Sequence, residues 1–499
     1  MKQPIVTIER ISNFEFSFAK STKIGLKHVG KALSFKNPDP YAAKKYSEMF
    51  DKRIYTFKIG MLSVLEAYLK ENDITYDLYN YEYTLPTGTV IDSRMSGKYD
   101  HQSEAVEAFF EKRFGIIVVP TRGGKTFIAS EIIRIFNNNN PTDKFLFIVD
   151  TDVLFSQAVG DIKEFFEPYG GIEIGEIRAG RIDTNHLVTV AMIQTVQQAV
   201  STRCKDKAKK KKMLEYLKHL KFLCIDEIHD NCSDTRLSIY KKCHKIDYLL
   251  CLSATPYRAN SFIQNLKLQA WSGGIVYTIK ESTLRDRKVL SDYKVFMLLL
   301  DHNQVDYGAE MEDNTDYNEY RKKIIFENVI RNNALFHVID ILKRLNLKTL
   351  ILFQSIEHGK KISKASGIKF IHGGTKTEER EEAKNNFLKE SGGFLLASGI
   401  FKKGVTVSEV EVLINVDGGL EDANTIQKKG RVLGTTATKD RSLIIDFFDV
   451  YSLYFSEHSE TRLNTYIKAI GEDEVGILDT SVDDCFPTLE RWIAKWFRI

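Results

Sequence analysis

The sequence lacks the features of membrane, secreted and disulfide-stabilised proteins. No apolar run approaches the roughly 20 residues that a transmembrane helix needs. The first residues, MKQPIVTIER, contain no apolar core of the signal-peptide type. None of the six cysteines belongs to a CxxC pair, so we expect buried free thiols rather than zinc or disulfides. These absences predict a cytoplasmic protein without a membrane partner.

The bulk composition is that of a globular protein with several domains. Its 499 residues are 43% hydrophobic and 28% charged, and this length suits three or four domains. A net charge of +4 is small, so overall charge alone does not indicate a nucleic-acid binder. Residues 203–221 are locally basic and hold four consecutive lysines, Lys209 to Lys212. They predict either a solvated loop or helix start, or an element that contacts phosphates.

Short apolar runs alternate with helical patterns in two stretches of the chain, as is typical of a parallel sheet covered on both faces. The first stretch contains FGIIVVP, KFLFIVD, LVTVAMI, FLCIDEI and DYLLCLSAT. The second contains TLILFQ, IKFIHG, GFLLASG, VEVLINV and RSLIIDF. We therefore predict an α/β protein with parallel-sheet domains over residues 93–285 and 286–455.

The two flanking segments have different patterns. In residues 1–92, IVTIERI and YDLYNYEYT alternate as strands do, and MLSVLEAYLKEN has helical spacing. This indicates a small α+β N-terminal domain, and its interleaved aromatic and basic residues suit either DNA-junction binding or ordinary packing. Residues 456–499 end in FPTLERWIAKWFRI, whose apolar residues recur at helical spacing. They predict a helical C-terminal extension that packs on a domain.

PTRGGKT, residues 120–126, has the strand–loop–helix context of a phosphate-binding loop. Backbone amides at the start of the following helix would surround phosphate oxygens, with help from the helix dipole. Lys125 would contact the β- and γ-phosphates, and Thr126 would ligate Mg²⁺. A plain glycine turn is the alternative interpretation of these residues alone.

Two further polar motifs follow buried strands. Asp226 and Glu227 follow FLCI, where a carboxylate at the carboxyl end of a parallel strand lies near the first phosphate loop. Asp226 suits a Mg²⁺ shell, and Glu227 suits a base that deprotonates the attacking water. Ser253 and Thr255 lie at the end of the strand in DYLLCLSAT.

PTRGGKT, DEIH and SATP, in this order and spacing, resemble motifs I, II and III of the superfamily 2 helicases. The resemblance implies two RecA-like domains with ATP and Mg²⁺ bound between them. It assigns nucleotide contacts to Thr121, Gly123 and Gly124 in addition to Lys125, Thr126 and Asp226. It also implies that Gln102 reads the adenine edge, and that His229, Ser253 and Thr255 couple nucleotide state to movement. Arg122 stands where the family usually has glycine.

The second domain resembles the same family in its own motifs. LLASGIFKKGVTV is similar to motif V, which implies nucleic-acid contacts by Ser398, Lys402 and Lys403 and a nucleotide contact by Gly404. QKKGRVLG is similar to motif VI, which implies catalytic roles for Gln427 and Arg431. The second arginine of that motif is replaced by Gly434. Either Arg431 acts alone, or Lys439 or Arg441 substitutes, or hydrolysis is impaired.

TVAMIQTV is similar to motif Ib, which implies nucleic-acid contacts by Gln194 and Thr195. FLFIVDTDVLFSQ resembles motif Ia, in which Asp150 stands where the family usually has proline. Over about residues 98–470, the chain resembles the phage UvsW-type branch-migration helicases, a group akin to RecG- and XPB-like enzymes. This implies a monomeric ATP-dependent DNA helicase that acts on branched, forked or single-stranded DNA in a phage-infected or bacterial cell. Two alternatives remain: an RNA-duplex helicase, and a nucleotide-gated nucleic-acid clamp with weak ATPase activity.

Overall fold

The computed structural model describes residues 5–38, 45–80, 97–230, 233–243, 245–257, 261–300, 317–398, 409–419, 434–436, 439–450 and 453–499. The chain forms two compact units. The first comprises Met1–Pro120 and Gly124–Lys280, and the second comprises Thr121–Gly123 and Glu281–Ile499. The predicted α/β class is confirmed: each unit contains a largely parallel sheet, and the first unit also contains a small N-terminal α+β module. The proposed boundaries at residues 92, 285 and 455 stay predictions.

The N-terminal module is a five-stranded sheet in the order β5-β6-β2-β1-β7, with a separate β3–β4 hairpin. Phe16, Phe57 and the helix residue Leu65 are buried in its core. This agrees with the alternating patterns in the sequence. The elements are β1 (Val6–Ser12), β2 (Glu15–Ser17), α1 (Lys23–Ala32), β3 (Ser34–Lys36), β4 (Tyr46–Glu48), β5 (Phe50–Asp51), β6 (Thr56–Lys58), α2 (Leu62–Glu71) and β7 (Tyr76–Tyr79).

The rest of the first unit is an eight-stranded sheet in the order β11-β10-β12-β9-β13-β14-β8-β15, parallel except for the β10–β11 hairpin. It includes all five predicted apolar strands. The elements are α3 (Asp100–Lys112), β8 (Phe114–Val118), α4 (Lys125–Asn139), β9 (Phe145–Val149), α5 (Asp152–Phe166), β10 (Ile174–Arg178), β11 (Arg181–Ile182), β12 (Val188–Met192), α6 (Ile193–Val200), α7 (Lys207–His219), β13 (Phe222–Ile225), α8 (Asp234–Tyr240), β14 (Tyr248–Ser253), α9 (Phe262–Ser272) and β15 (Ile275–Thr278).

The N-terminal module packs against α9 of this larger sheet domain. Leu266 and Ala270 of α9 belong to the same buried cluster as the module's own core. Gly60 lies so close to the helix that an added Cβ would be 1.7 Å from the carbonyl oxygen of Gln269. This position therefore requires glycine, because backbone atoms occupy the space of a side chain.

The second unit contains a seven-stranded, all-parallel sheet in the order β18-β19-β17-β20-β21-β16-β22. It includes the other five predicted strands. The elements are α10 (Glu281–Asp286), β16 (Asp292–Leu300), α11 (Tyr317–Arg321), α12 (Val329–Arg344), β17 (Thr349–Leu352), α13 (Ile356–Ser366), β18 (Phe370–Ile371), α14 (Thr377–Lys389), β19 (Phe394–Ala397), β20 (Val412–Asn415), β21 (Arg441–Asp449), α15 (Leu453–Ile470), β22 (Val475–Asp479) and α16 (Cys485–Phe497).

The C-terminal extension is more than the helical segment that the sequence predicts. Its last helix, α16, does pack on the domain, since Leu489 and Ile493 are buried in the sheet's core. Between α15 and α16, however, β22 adds a strand to the sheet beside β16. The pattern of β22, VGILD, is short and mostly half-buried, so its periodicity does not reveal a strand.

Two predictions about the whole chain can be compared with the described residues. Within them, no helix is long and apolar enough to cross a membrane. Cys224, Cys243, Cys251 and Cys485 are buried free thiols, as predicted, and Cys204 is free but only half-buried. Cys232 lies outside the described residues.

The topology of the eight-stranded sheet decides where its motifs meet. Strands β8, β14, β13, β9, β12 and β10 are parallel neighbours in this order, so their carboxyl ends lie along one edge. The phosphate loop, the SAT segment and the DEIH segment follow the first three strands. Motifs Ia and Ib follow β9 and β12. The edge therefore carries the nucleotide motifs at one end and the predicted nucleic-acid motifs at the other.

Candidate nucleotide site and nucleic-acid edge

The phosphate loop joins β8 to α4 as the sequence predicts. Val119 is buried and its amide donates to the carbonyl oxygen of Ser253, so it continues the strand into the loop. Gly124 is the N-cap of α4 and has φ +90°, in the left-handed region that favours glycine. Lys125 and Thr126 are the first helical residues. Their amides face the space beyond the helix start, where a phosphate would be stabilised.

Gln102 lies directly against this loop. A Cβ on Gly124 would be 2.2 Å from Nε2 of Gln102, whose side chain is almost fully buried on α3. The structure thus places Gln102 beside the nucleotide loop, while its contact with adenine stays a prediction. Arg122, in place of the family's usual glycine, has φ +72°. The backbone here is in the left-handed region that favours glycine, although Arg122 carries a side chain.

Side-chain contacts connect motifs I, II and III. Lys125 Nζ is 3.3 Å from Glu227 Oε1. The other carboxylate oxygen of Glu227 is 3.4 Å from His229 Nδ1, which is also 3.0 Å from Ser253 Oγ. Ser253 Oγ in turn accepts a hydrogen bond from the amide of Thr255 at 3.1 Å. An unbroken series of side-chain and backbone contacts therefore links five of the predicted site residues: Lys125, Glu227, His229, Ser253 and Thr255.

The donor set at this end of the sheet edge fits a magnesium–nucleotide complex. Asp226 Oδ1 accepts a hydrogen bond from the amide of Glu227 at 2.9 Å, which orients the carboxylate. The hydroxyl of Thr126 and the carboxylate of Asp226 are oxygen ligands of the kind that Mg²⁺ prefers. Within the described residues, no group of three or more His, Cys, Asp or Glu side chains could hold a metal by itself.

The residues predicted to contact nucleic acid in motifs Ia and Ib are linked to each other. Gln194 Nε2 donates to the carbonyl oxygen of Asp150 at 2.8 Å and to its carboxylate at 3.2 Å. Arg236, from α8, donates to the same carboxylate at 2.6 Å. Asp150, which replaces a proline of the family, therefore joins three segments of this edge. The predicted contact of Thr195 with nucleic acid stays a prediction. Its side chain is only 8% exposed, and this burial does not favour such a contact.

Motifs V and VI of the second unit fall largely outside the described residues, as do Lys402, Lys403, Gly404, Gln427 and Arg431. Ser398 is described: it follows β19, is buried, and donates its amide to Ile371. Gly434 forms a β-bridge with Leu290. Gln427 and Arg431 keep their predicted roles on the basis of resemblance alone.

Arg441 and Lys439, the two candidate substitutes for the missing motif VI arginine, differ in their surroundings. Arg441 donates to the carbonyl oxygen of Trp496 and stacks over its ring at 4.9 Å, so it is held by the C-terminal helix. Lys439 Nζ donates to the carbonyl oxygen of Gly434 at 3.2 Å, and burial lowers the pKa of this lysine to about 7. Of the two candidate substitutes, Lys439 is therefore the one that lies beside Gly434.

A buried charged network, which the sequence patterns did not reveal, lies below the carboxyl ends of β20 and β21. Arg331 pairs with Asp449 at 2.9 Å, and Arg462 pairs with Asp446 at 3.2 Å, with all four side chains at most 1% exposed. Arg462 also donates to the carbonyl oxygen of Gly419 at 3.1 Å. The network therefore supports the backbone that leads into motif VI.

Gly124→Ala is expected to weaken ATP binding by at least about tenfold, because φ +90° is strained for alanine and its Cβ would clash with Gln102. Binding of a fluorescent ATP analogue measures the effect. Gly160→Ala is the matched control, since Gly160 lies in α5 with no atom near an added Cβ. Equal affinity of both variants for the analogue would contradict a role of the Gly124 conformation in nucleotide binding.

Two family models match the chain at the places where these motifs lie. The model described as "Type III restriction enzyme, res subunit" matches residues 97–258, which include motifs I to III. The model described as "Helicase conserved C-terminal domain" matches residues 331–433, which include motif V and all of motif VI except Gly434. Together the two models cover more than half of the chain.

Individual relatives are similar to this chain at low sequence identity. "Putative helicase 22" of Sulfolobus islandicus filamentous virus (isolate Iceland/Hveragerdi) is 23% identical over 69% of this chain and 62% of its own length, so the chain spans under two thirds of that relative. "DNA 3'-5' translocase XPB2" of Sulfurisphaera tokodaii is 25% identical over 67% of this chain and 78% of its own.

Among solved structures, T4 UvsW is a structural neighbour with a TM-score of 0.43 and 17% identity, over 95% of this chain and 99% of the other. The two domain matches agree in order and position with the motifs predicted from the sequence. The chain therefore belongs to the superfamily 2 helicases.

Proposed function

We propose that this protein is an ATP-dependent DNA translocase that acts on branched or forked DNA. The observation that carries the proposal is the chain of contacts from Lys125 through Glu227 and His229 to Ser253. These contacts bring together an ammonium suited to bind phosphate, a carboxylate suited to act as a base, and the SAT segment at one edge of one sheet, which supports the proposal. A relative named as a DNA translocase, at 25% identity, supports DNA as the substrate.

Lys125 and Glu227 neutralise each other in the described conformation. With ATP and Mg²⁺ bound, Lys125 would contact phosphate oxygens, Thr126 and Asp226 would hold the metal, and the metal would stabilise charge on the phosphates. Glu227 would then lose its ammonium partner and accept a proton from the attacking water. The same lysine would thereby both bind the phosphates and release the base.

His229 and Ser253 would carry the state of the base to the backbone of the SAT segment. His229 Nδ1 lies between the Glu227 carboxylate and the Ser253 hydroxyl, so a change in the charge around Glu227 alters the hydrogen bonding of Ser253. Ser253 also holds the amide of Thr255. This path would link hydrolysis to movement of the segment that leads into α9.

A steady-state ATPase assay with no nucleic acid, single-stranded DNA, forked DNA and duplex RNA tests the proposal. We expect forked DNA to stimulate turnover most strongly. Stimulation by RNA alone would instead support an RNA-duplex helicase. Tight ATP binding without stimulated turnover would support a nucleotide-gated clamp, the alternative that Gly434 raises. Gly434→Arg would then be expected to increase the ATPase rate.

A further inference from the structure

The positive charge of this protein is concentrated on one segment of the first unit. Residues 203–221 contain nine lysines and arginines against two acidic residues, a net charge of +7. Since the whole chain carries +4, the remaining residues together carry −3. The structure folds most of this segment into α7, whose first turn is capped by Asp206 accepting from the amide of Lys209 at 2.9 Å. The charge therefore lies on an ordered helix.

Helix α7 divides its residues between the protein core and the solvent. Met213, Tyr216 and Leu217 are buried against the domain. Lys207, Lys211 and Lys218 are exposed, and none of them forms an ion pair with a described residue. Their spacing of four and seven residues places them on one face of the helix, over about 16 Å along its axis. We call these three residues the lysine ridge.

Other contacts of α7 locate its first half at the functional edge of the sheet. Lys212 Nζ donates to the carbonyl oxygen of Ile182 at 3.0 Å, in the β10–β11 hairpin. Gly180, in the turn of that hairpin, lies beside Lys209. This turn follows the carboxyl end of β10, and β10 is the neighbour of β12, which leads into motif Ib. Because adjacent strands are about 4.8 Å apart, β10 lies roughly 5 Å from β12, the strand that leads into Gln194.

We propose that the lysine ridge binds the phosphate backbone of a DNA duplex arm next to motif Ib. The site deepens the proposed function, on which it rests, by adding a contact that the motifs do not include. Duplex DNA presents one charge per about 1.7 Å of axis, so the ridge spans about nine phosphates. Residues 178–221 contain one Phe, Tyr or Trp, namely Tyr216, which is buried. Without an exposed aromatic on which unpaired bases could stack, this surface suits a duplex backbone rather than a single strand.

The test compares the triple variant Lys207→Gln, Lys211→Gln, Lys218→Gln with the wild type in DNA binding over a range of salt concentrations. The probes are a labelled DNA duplex with a single-stranded tail and the tail strand alone. For the tailed duplex, we expect the slope of log K against log salt to become shallower by about 2 to 3, because each duplex phosphate contact contributes about 0.9. Affinity should fall about tenfold or more, and binding of the tail strand should change much less.

A second triple variant, Lys389→Gln, Lys468→Gln, Lys495→Gln, removes the same charge from exposed lysines of the second unit. Equal losses in both triple variants would overturn the proposal, because only total charge would then matter. Unchanged duplex binding by the ridge variant would also overturn the proposal. This holds even if the ridge variant loses affinity for an acidic protein, because the ridge would then be a protein-binding surface. The ATPase rate without DNA checks that each variant is folded. If no nucleic acid stimulates the wild-type ATPase, the proposed function itself fails.

Discussion

Glu227→Gln is expected to bind ATP as the wild type does but to hydrolyse it about 10²- to 10⁴-fold more slowly, the usual contribution of a general base. The carboxylate of Glu227 lies between Lys125 Nζ at 3.3 Å and His229 Nδ1 at 3.4 Å. Glutamine has the same shape and preserves polar contacts at this place, but it cannot accept a proton from water. Single-turnover hydrolysis together with equilibrium binding of ATP separates the two steps.

The matched control for this variant is Glu215→Gln. Glu215 lies on α7 of the same unit, is exposed, and pairs with His219 at 3.1 Å. Its substitution removes the same charge and should leave the hydrolysis rate unchanged. If Glu227→Gln hydrolyses ATP at a rate close to that of Glu215→Gln, Glu227 is not the base. If it fails to bind ATP, its main contribution is to the shape of the phosphate site.

Arg331→Met is expected to lower the free energy of unfolding of the second unit by about 3–5 kcal/mol. Its guanidinium pairs with Asp449 at 2.9 Å, donates to the carbonyl oxygen of Val416 at 2.9 Å, and lies over the ring of Phe447. Methionine fills much of the space but leaves the Asp449 carboxylate buried without its nearest cation. For a unit of this size, the loss corresponds to a decrease in Tm of about 10 °C. Trp492 and Trp496 lie in this unit and Trp271 lies in the first, so tryptophan fluorescence during heating, in a Trp271→Phe background, measures unfolding of the second unit.

Helix α12 also provides the control for this prediction. Arg344, at its other end, pairs with Glu490 at 2.6 Å, but the arginine side chain is 56% exposed. Water screens an exposed pair, so Arg344→Met should change the Tm little. Similar Tm values for the two variants would show that the Arg331–Asp449 pair does not stabilise the fold through its burial.

The nucleotide end of the site was predictable because its signals are local in sequence. A glycine turn before Lys125 and carboxylates after FLCI each identify a strand end, and the parallel order of the strands then brings them together. The apolar runs of β9, β13 and β14 were recognisable for the same reason, since strands covered on both faces contain few polar residues. Strand β10 was missed because Gly175 and Glu176 interrupt its apolar pattern.

The contacts that the patterns did not reveal join residues far apart in the chain. Arg236 binds Asp150 across 86 positions, and Arg331 binds Asp449 across 118. A sequence shows that Asp446 and Asp449 lie in an apolar strand, which implies buried cations as partners, but it does not show which arginines reach them. Likewise, the sequence shows only that Asp150 departs from the family pattern. The structure shows why it matters, through its contacts with Gln194 and Arg236. Such pairs depend on tertiary packing rather than on spacing.

The close approach of Gly60 to the carbonyl of Gln269 gives the N-terminal module a mechanical property. The described residues of the module share a core with α9, and α9 follows the SAT segment, so the module is packed directly on the sheet domain of the first unit. Under the proposed function, a ligand bound by the first eighty residues would therefore move together with that sheet during the ATPase cycle.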